Sequence, residues 1–188
     1  MRNEALRQLN YLCYELGLIV NKRWWRWLTC WFGGGAGVIV SYRLDRCLYL
    51  VFGKSWSIVR LAFFPLFLFL RLISANHEIH FRAEIGQGLK ILHPGLGLVI
   101  SAYAIIGDHL TLTGGNCIGG RKGLKRGNLV LGNHVSLGAN AVILGPVRIG
   151  DRTEIGAGAV VVHDFPGHGV LAGVPAKALR LNDQEGDL

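Results

Sequence analysis

The sequence predicts a mainly β protein: a parallel β-solenoid of hexapeptide repeats with an N-terminal α-helical region, and three observations carry that prediction. An aliphatic residue returns at every sixth position through Leu131, Leu137, Ile143, Ile149, Ile155 and Val161. Neither a helix, with apolar spacing near 3.6, nor a half-buried strand, with spacing of 2, gives that period. A small residue usually follows (Gly132, Gly138, Gly150, Gly156), and small or β-branched residues recur four places on, at Val135, Ala141, Val147, Thr153 and Ala159. Three such hexads close one triangular turn, with the aliphatic side chain on the axis and glycine easing the corner backbone. The same frame runs back through Ile118, Leu112, Ile106 and Ile100, and again through Ile91, Ile85 and Ile79.

The frame slips twice. The step from Ile91 to Ile100 is nine residues and that from Ile118 to Leu131 is thirteen, so extra residues leave the regular wall as bulges, where functional groups tend to sit. A repeat that served packing alone would explain the hexads and leave both insertions without a reason.

Ahead of the solenoid, residues 1–20 read as an amphipathic helix with Leu6, Leu9, Leu12, Leu16 and Ile19 at three- and four-residue steps. Trp24, Trp25, Trp27 and Trp31 then mix with Lys22, Arg23 and Arg26, a composition that suits a membrane interface or a buried aromatic cluster equally. The glycine-rich segment Trp27 to Tyr42 reads as a loop or re-entrant turn, followed by helices over Val38 to Phe52 and Ser55 to Ser74 joined near Gly53-Lys54. The apolar run between Arg60 and Arg71 is ten residues long and holds Pro65. It is too short to span a bilayer, which needs about 20 residues, and fits an interfacial or oligomer-buried helix. No cleavable signal peptide is visible, because Met1 to Asn10 is polar. The expected organisation is a helical region over 1–77, the solenoid over 78–171, and a C-terminal segment and tail over 172–188, mobile from Ala178 onward.

At 188 residues and 51% hydrophobic content the chain can bury one sizeable core. The net charge of +8 is uneven: residues 1–78 carry ten Lys/Arg against four acids, and residues 79–188 ten against eight. No nucleic-acid-binding motif accompanies that surplus, so an anionic membrane surface is the better match. Cys13, Cys30, Cys47 and Cys117 lack paired spacing, and the histidines show no ligand spacing, which points to a reduced, cytoplasmic compartment and no metal.

The hexads, with "AGVPAK" at Ala172 to Lys177, resemble the hexapeptide-repeat acyltransferases, in their serine acetyltransferase-like and capsular or exopolysaccharide O-acetyltransferase branches. The match covers about Glu78 to Arg180. The resemblance implies a left-handed β-helix, opposite to the usual hand of parallel crossovers, with acetyl-CoA as co-substrate and a homotrimer with its sites between neighbouring solenoids. His93, in "ILHPGLG" within the first bulge, resembles the family's catalytic histidine. Imidazole can take a hydroxyl proton at neutral pH and return it to the departing thiolate. Glu78, fifteen residues earlier in "EIH" where serine acetyltransferases read "DIH", would orient that ring. On the cofactor side, the second expelled loop frees backbone N–H groups at Gly119 and Gly120 that could serve the thioester oxyanion or the pantetheine amides, beside a basic flap of Arg121, Lys122, Lys125 and Arg126. The resemblance implies the further contacts: Ala139 and Ala157 would leave room for the pantetheine arm, and Lys177 and Arg180 would meet the nucleotide.

Two departures bear on the acceptor. Leu92 stands where serine acetyltransferases place an Asp against the substrate ammonium, and "LKRGN" replaces their "DRHP"-type loop. The leading expectation is therefore O-acetylation of a saccharide hydroxyl in capsule or exopolysaccharide biosynthesis, with a free or lipid-linked sugar as partner and the N-terminal region held peripherally at the inner membrane face. Serine O-acetylation for cysteine synthesis is the alternative, and a non-catalytic trimeric scaffold is the second.

Overall fold

A computed structural model describes residues 2–20, 35–62, 77–120 and 123–181. The tryptophan-rich stretch, the apolar run beyond Ala62, and the flap residues Arg121 and Lys122 lie outside the described residues. So do the last seven residues of the acidic tail.

From His77 the chain winds into a three-faced prism, a left-handed parallel β-helix. One face stacks β1 (His77–Ile79), β4 (Leu98–Ile100), β7 (Asn116–Gly120), β10 (Val142–Gly145) and β13 (Val160–Val161). The second stacks β2 (Glu84–Ile85), β5 (Ala104–Ile106), β8 (Leu129–Leu131) and β11 (Val147–Ile149). The third stacks β3 (Lys90–Ile91), β6 (Thr111–Leu112), β9 (Ser136–Leu137), β12 (Thr153–Ile155) and β14 (Gly169–Gly173), and is closed by β15 (Ala176–Leu181). All pairings are parallel except the last, where β15 folds back antiparallel on β14. The segment from Ala178 to Leu181, expected to be mobile, is thus part of a strand.

The hexad positions do what their period demands. Leu131, Leu137, Ile143, Ile149, Ile155 and Val161 fill the axis, with Val135, Ala141, Val147, Thr153 and Ala159 buried between them. The glycines act for a different reason from the expected one. Gly132, Gly138 and Gly156 keep ordinary φ, and the left-handed corner conformation falls on other residues: on His109, His134, Arg152 and His168 at one corner, and on Gly115, Asn140 and Gly158 at another. What excludes a side chain at Gly138 is the next coil, since a Cβ there would lie 2.5 Å from the backbone nitrogen of Ala157.

Register shows how the insertions are absorbed. Regular coils repeat at eighteen residues, as in Ser136 to Glu154 and Val142 to Val160. Glu78 instead pairs with Val99, 21 positions on, and Cys117 with Val142, 25 positions on. Three and seven residues are expelled at corners while the strands on either side stay paired.

The helices cap the open N-terminal end of the prism. Helix α1 (Arg2–Val20) packs on α2 (Gly35–Phe52), which a 3₁₀ turn at Gly53–Ser55 links to α3 (Trp56–Ala62). Helix α2 starts three residues before the expected Val38, because Ala36, Val38 and Ile39 are all buried and tertiary packing outweighs the poor helix propensity of glycine. The buried face of α1 is offset from the leucine stripe that marks it as amphipathic. It runs through Ala5, Gln8, Leu12, Glu15 and Ile19, leaving Leu6, Leu9 and Leu18 exposed. The reason is Arg43 of α2, which is fully buried. Its guanidinium donates to Glu15 (Nε to Oε2, 3.0 Å; Nη2 to Oε1, 2.6 Å), Gln8 Oε1 (2.8 Å) and the Ile85 carbonyl (2.8 Å). Glu15 also accepts the Leu89 N–H at 2.8 Å, so one buried ion pair joins both helices to the first coil. No described helix is long and apolar enough to cross a membrane.

Candidate active site

Between β3 and β4 the chain leaves the wall at Leu92 to Gly97, with a 3₁₀ turn at Pro94–Leu96. His93 lies on this bulge. Its N–H donates to the Thr113 carbonyl (2.8 Å), and Gly115 N–H donates to the Gly97 carbonyl (2.7 Å), so both ends are anchored on the following coil. Gly114 allows the approach, because a Cβ there would meet the His93 carbonyl oxygen and the Leu96 side chain. Beneath it Asn116, only 2% exposed, accepts the Gly114 N–H (2.9 Å) and donates to the Gly138 carbonyl (2.7 Å). From the other side Gly35 of α2 packs close to the Ile91 carbonyl. The bulge is thus held by its own turn, the next coil and the helical cap, while the imidazole of His93 stays exposed between Leu92 and Leu96.

Glu78 projects outward from β1, one strand below Val99. Among the described residues neither the Glu78 carboxylate nor the His93 ring makes a side-chain hydrogen bond, so the expected orienting hydrogen bond is not made within the single chain. Near Glu78, burial lowers the pKa of both His77 and His80. The cations Arg82 and Arg60 lower His80 further, and the carboxylates of Asp45 and Glu78 offset part of this.

The cofactor candidates fall into two groups. Ala139 and Ala157 share the corner that carries His93 and sit on successive coils, with Gly158 N–H donating to the Ala139 carbonyl at 2.8 Å. Lys177 continues this line, since it pairs with Ala172, which packs close to Gly156 on that same corner. Five strand spacings of about 4.8 Å separate the His93 level, next to β3, from the Lys177 level on β15, roughly 24 Å in all. Arg180 lies in β15 opposite Val170. Gly119 and Gly120 stand at the opposite edge of the first face, where they pair with Leu144 and Gly145 of β10. The backbone expected to be freed there is therefore held on one side, whereas β4 ends opposite Ile118 and leaves the other side open. On the flap Arg126 forms an ion pair with Glu84.

Gly114 and Asn116 were missed from sequence. A signal existed for Asn116: its strand partner in the frame is the buried Leu98, so a polar residue stood at an inward position. Among the described residues no cluster of His, Cys, Asp or Glu is suited to a metal ion.

Residues 128–163 match the family model described as bacterial transferase hexapeptide (six repeats). Over 155 residues the chain is 35% identical to the serine acetyltransferase of Helicobacter pylori strain J99, covering 82% of this chain and 86% of that enzyme. The chain belongs to the serine acetyltransferase family. It is also 40% identical over 103 residues to the enzyme of Synechococcus elongatus, spanning 54% of this chain but only 42% of that longer relative. Among solved structures, the serine acetyltransferase of Neisseria gonorrhoeae superposes with a TM-score of 0.76 at 28% identity, over 96% of this chain and 69% of that one.

Membership in this family overturns the expected saccharide acceptor. That expectation rested on two local departures, Leu92 and "LKRGN". The likeness to serine enzymes extends through nearly the whole length of the Helicobacter relative. The physical weakness of the inference was to treat one missing carboxylate as the loss of ammonium recognition. An exposed Leu92 says nothing of acids supplied by another strand.

Proposed function

We propose that this chain transfers the acetyl group of acetyl-CoA to the hydroxyl of serine, with His93 as the base, in a homotrimer whose sites lie between neighbouring prisms. The observation that carries this reading is the 35% identity across 86% of a serine acetyltransferase, combined with an exposed imidazole on a braced bulge. The Neisseria enzyme has also been solved in complex with serine. In the reaction, His93 takes the hydroxyl proton as the serine oxygen attacks the thioester carbonyl. The tetrahedral oxyanion then collapses, the C–S bond breaks, and the imidazolium returns its proton to the CoA sulfur. Glu78 holds the imidazolium, and its approach to the ring is completed when substrate or a second prism closes the site. The corner of Ala139 and Ala157 receives the extended pantetheine arm. Lys177 and Arg180 take the nucleotide phosphates at its far end.

The test is thiol release from acetyl-CoA with serine or a simple hexose as acceptor. Release is expected with serine, and His93→Ala is expected to lower kcat by about 10²–10⁴-fold with an unchanged melting profile. CoA at a hundredfold over its Kd should stabilise both proteins by about 2.7 kcal/mol. Release with hexose alone, or full activity in His93→Ala, would sink the proposal.

A further inference from the structure

Away from the corner that carries His93, α1, α2 and the second face of the prism enclose a cleft of about 710 Å³. That size suits a small organic ligand. Its charge is lopsided. Arg7, Arg46, Arg82 and Arg126 line it against only Glu4 and Glu84, and Glu84 is already shared by Arg46 and Arg126.

The guanidiniums are also under-used. Arg46 is 8% exposed, and its Nη1 donates to the carbonyls of Phe81 (3.2 Å) and Arg82 (3.0 Å). Its contact with Glu84 is long at 3.3 Å, and its buried Nε has no acceptor. A buried donor without a partner is costly, and native structures rarely keep one that no ligand or water serves. The guanidiniums of Arg7 and Arg82 make no hydrogen bond or ion pair among the described residues. Arg82 only rests against the rings of Tyr49 and Phe81, each at 5.8 Å. Stacking in this way fixes the plane of a guanidinium while leaving its N–H fork free for an oxyanion.

We propose that this cleft is a binding site for a small polyanion carrying two or more phosphate or carboxylate groups, separate from the acetyl-transfer site. Arg7 and Arg82 supply bidentate contacts from opposite walls, and Arg46 at the base sets the positive field. Because the ligand bridges α1, α2 and the first coils, its occupancy stiffens the cap that also buttresses the bulge of His93.

Calorimetric titration of the full chain with pyrophosphate, and separately with citrate, tests this. One site per chain is expected for at least one probe. It should persist at saturating CoA and weaken at least tenfold in Arg7→Ala/Arg82→Ala, two surface changes that leave the circular dichroism spectrum intact. Pyrophosphate alone would identify a phosphate ligand, citrate alone a polycarboxylate, and both a site that reads charge rather than group. No heat with either probe, displacement by CoA, or unaltered affinity in the double variant would overturn the proposal. None of these outcomes depends on whether serine is acetylated.

Discussion

The coils from Leu129 to Val161 and the helical cap stabilise their buried interiors by opposite means. In the coils every axial position is apolar and each is replaceable in kind, because the same contact recurs one turn above and below. In the cap the most buried large side chain is an arginine, and Arg43, Glu15, Gln8 and Leu89 form one network with no second copy. Redundancy makes the first region tolerant. Singularity makes the second brittle and specific, since the ion pair admits only one docking of α1 and α2 on the prism.

The contrast is sharpest at Arg43→Met, which leaves Glu15 buried and unpaired and is expected to cost about 3–5 kcal/mol in urea unfolding. The double variant Arg43→Met/Glu15→Leu should recover most of that loss. If the single variant were neutral, the cap would not be held as described. In the wall, Ile143→Ala removes a fully buried side chain and is expected to cost about 2–5 kcal/mol by the cavity it leaves. Next comes Gly138→Ala, whose added methyl presses on the Ala157 backbone, at about 1–3 kcal/mol.

The smallest effect is on pH dependence. His77 and His80 have folded pKa values depressed below the ordinary 6.5, chiefly by burial. As pH falls through 6.5 the unfolded chain takes up protons that the folded one refuses, so stability is present above that value and declines below it. His80 Nδ1 accepts the Arg82 N–H at 3.1 Å, a bond that only the deprotonated nitrogen can make. Unfolding between pH 7.5 and 5.5 should therefore show a slope that His77→Asn/His80→Asn reduces. An unchanged slope would place the titration elsewhere. Asp45, with its pKa raised by burial, works in the opposite sense and gains stability as pH falls toward 3.8.

The same contrast decides what could be read in advance. A period of six is written over more than eighty residues, so the prism, its three faces and both expelled loops were legible from Ile79, Ile100, Leu131 and their kin. The pairing of Glu15 with Arg43 spans 28 positions and has no period. The leucine spacing on α1 therefore shows an amphipathic helix but not that the polar Gln8 and Glu15 lie on its buried face. His93 could be found because it interrupts a pattern. Gly114, which braces it, could not, because a glycine is expected at many corners, whereas Asn116 left only the faint signal of one polar residue at an inward position of the frame. The acceptor was misjudged for a related reason: it depends on side chains converging from several strands, and one position, Leu92, was made to stand for all of them.

The unequal coils have a further consequence. Spacings of 21, 18 and 25 residues are threaded through strands that remain in register, so chain length at a corner is uncoupled from the architecture beneath it. Loops at Leu92 to Gly97 and after Gly120 can lengthen, shorten or change composition without a compensating change in the prism. Such a scaffold separates the frame, fixed by strand register, from the length and composition of its corners.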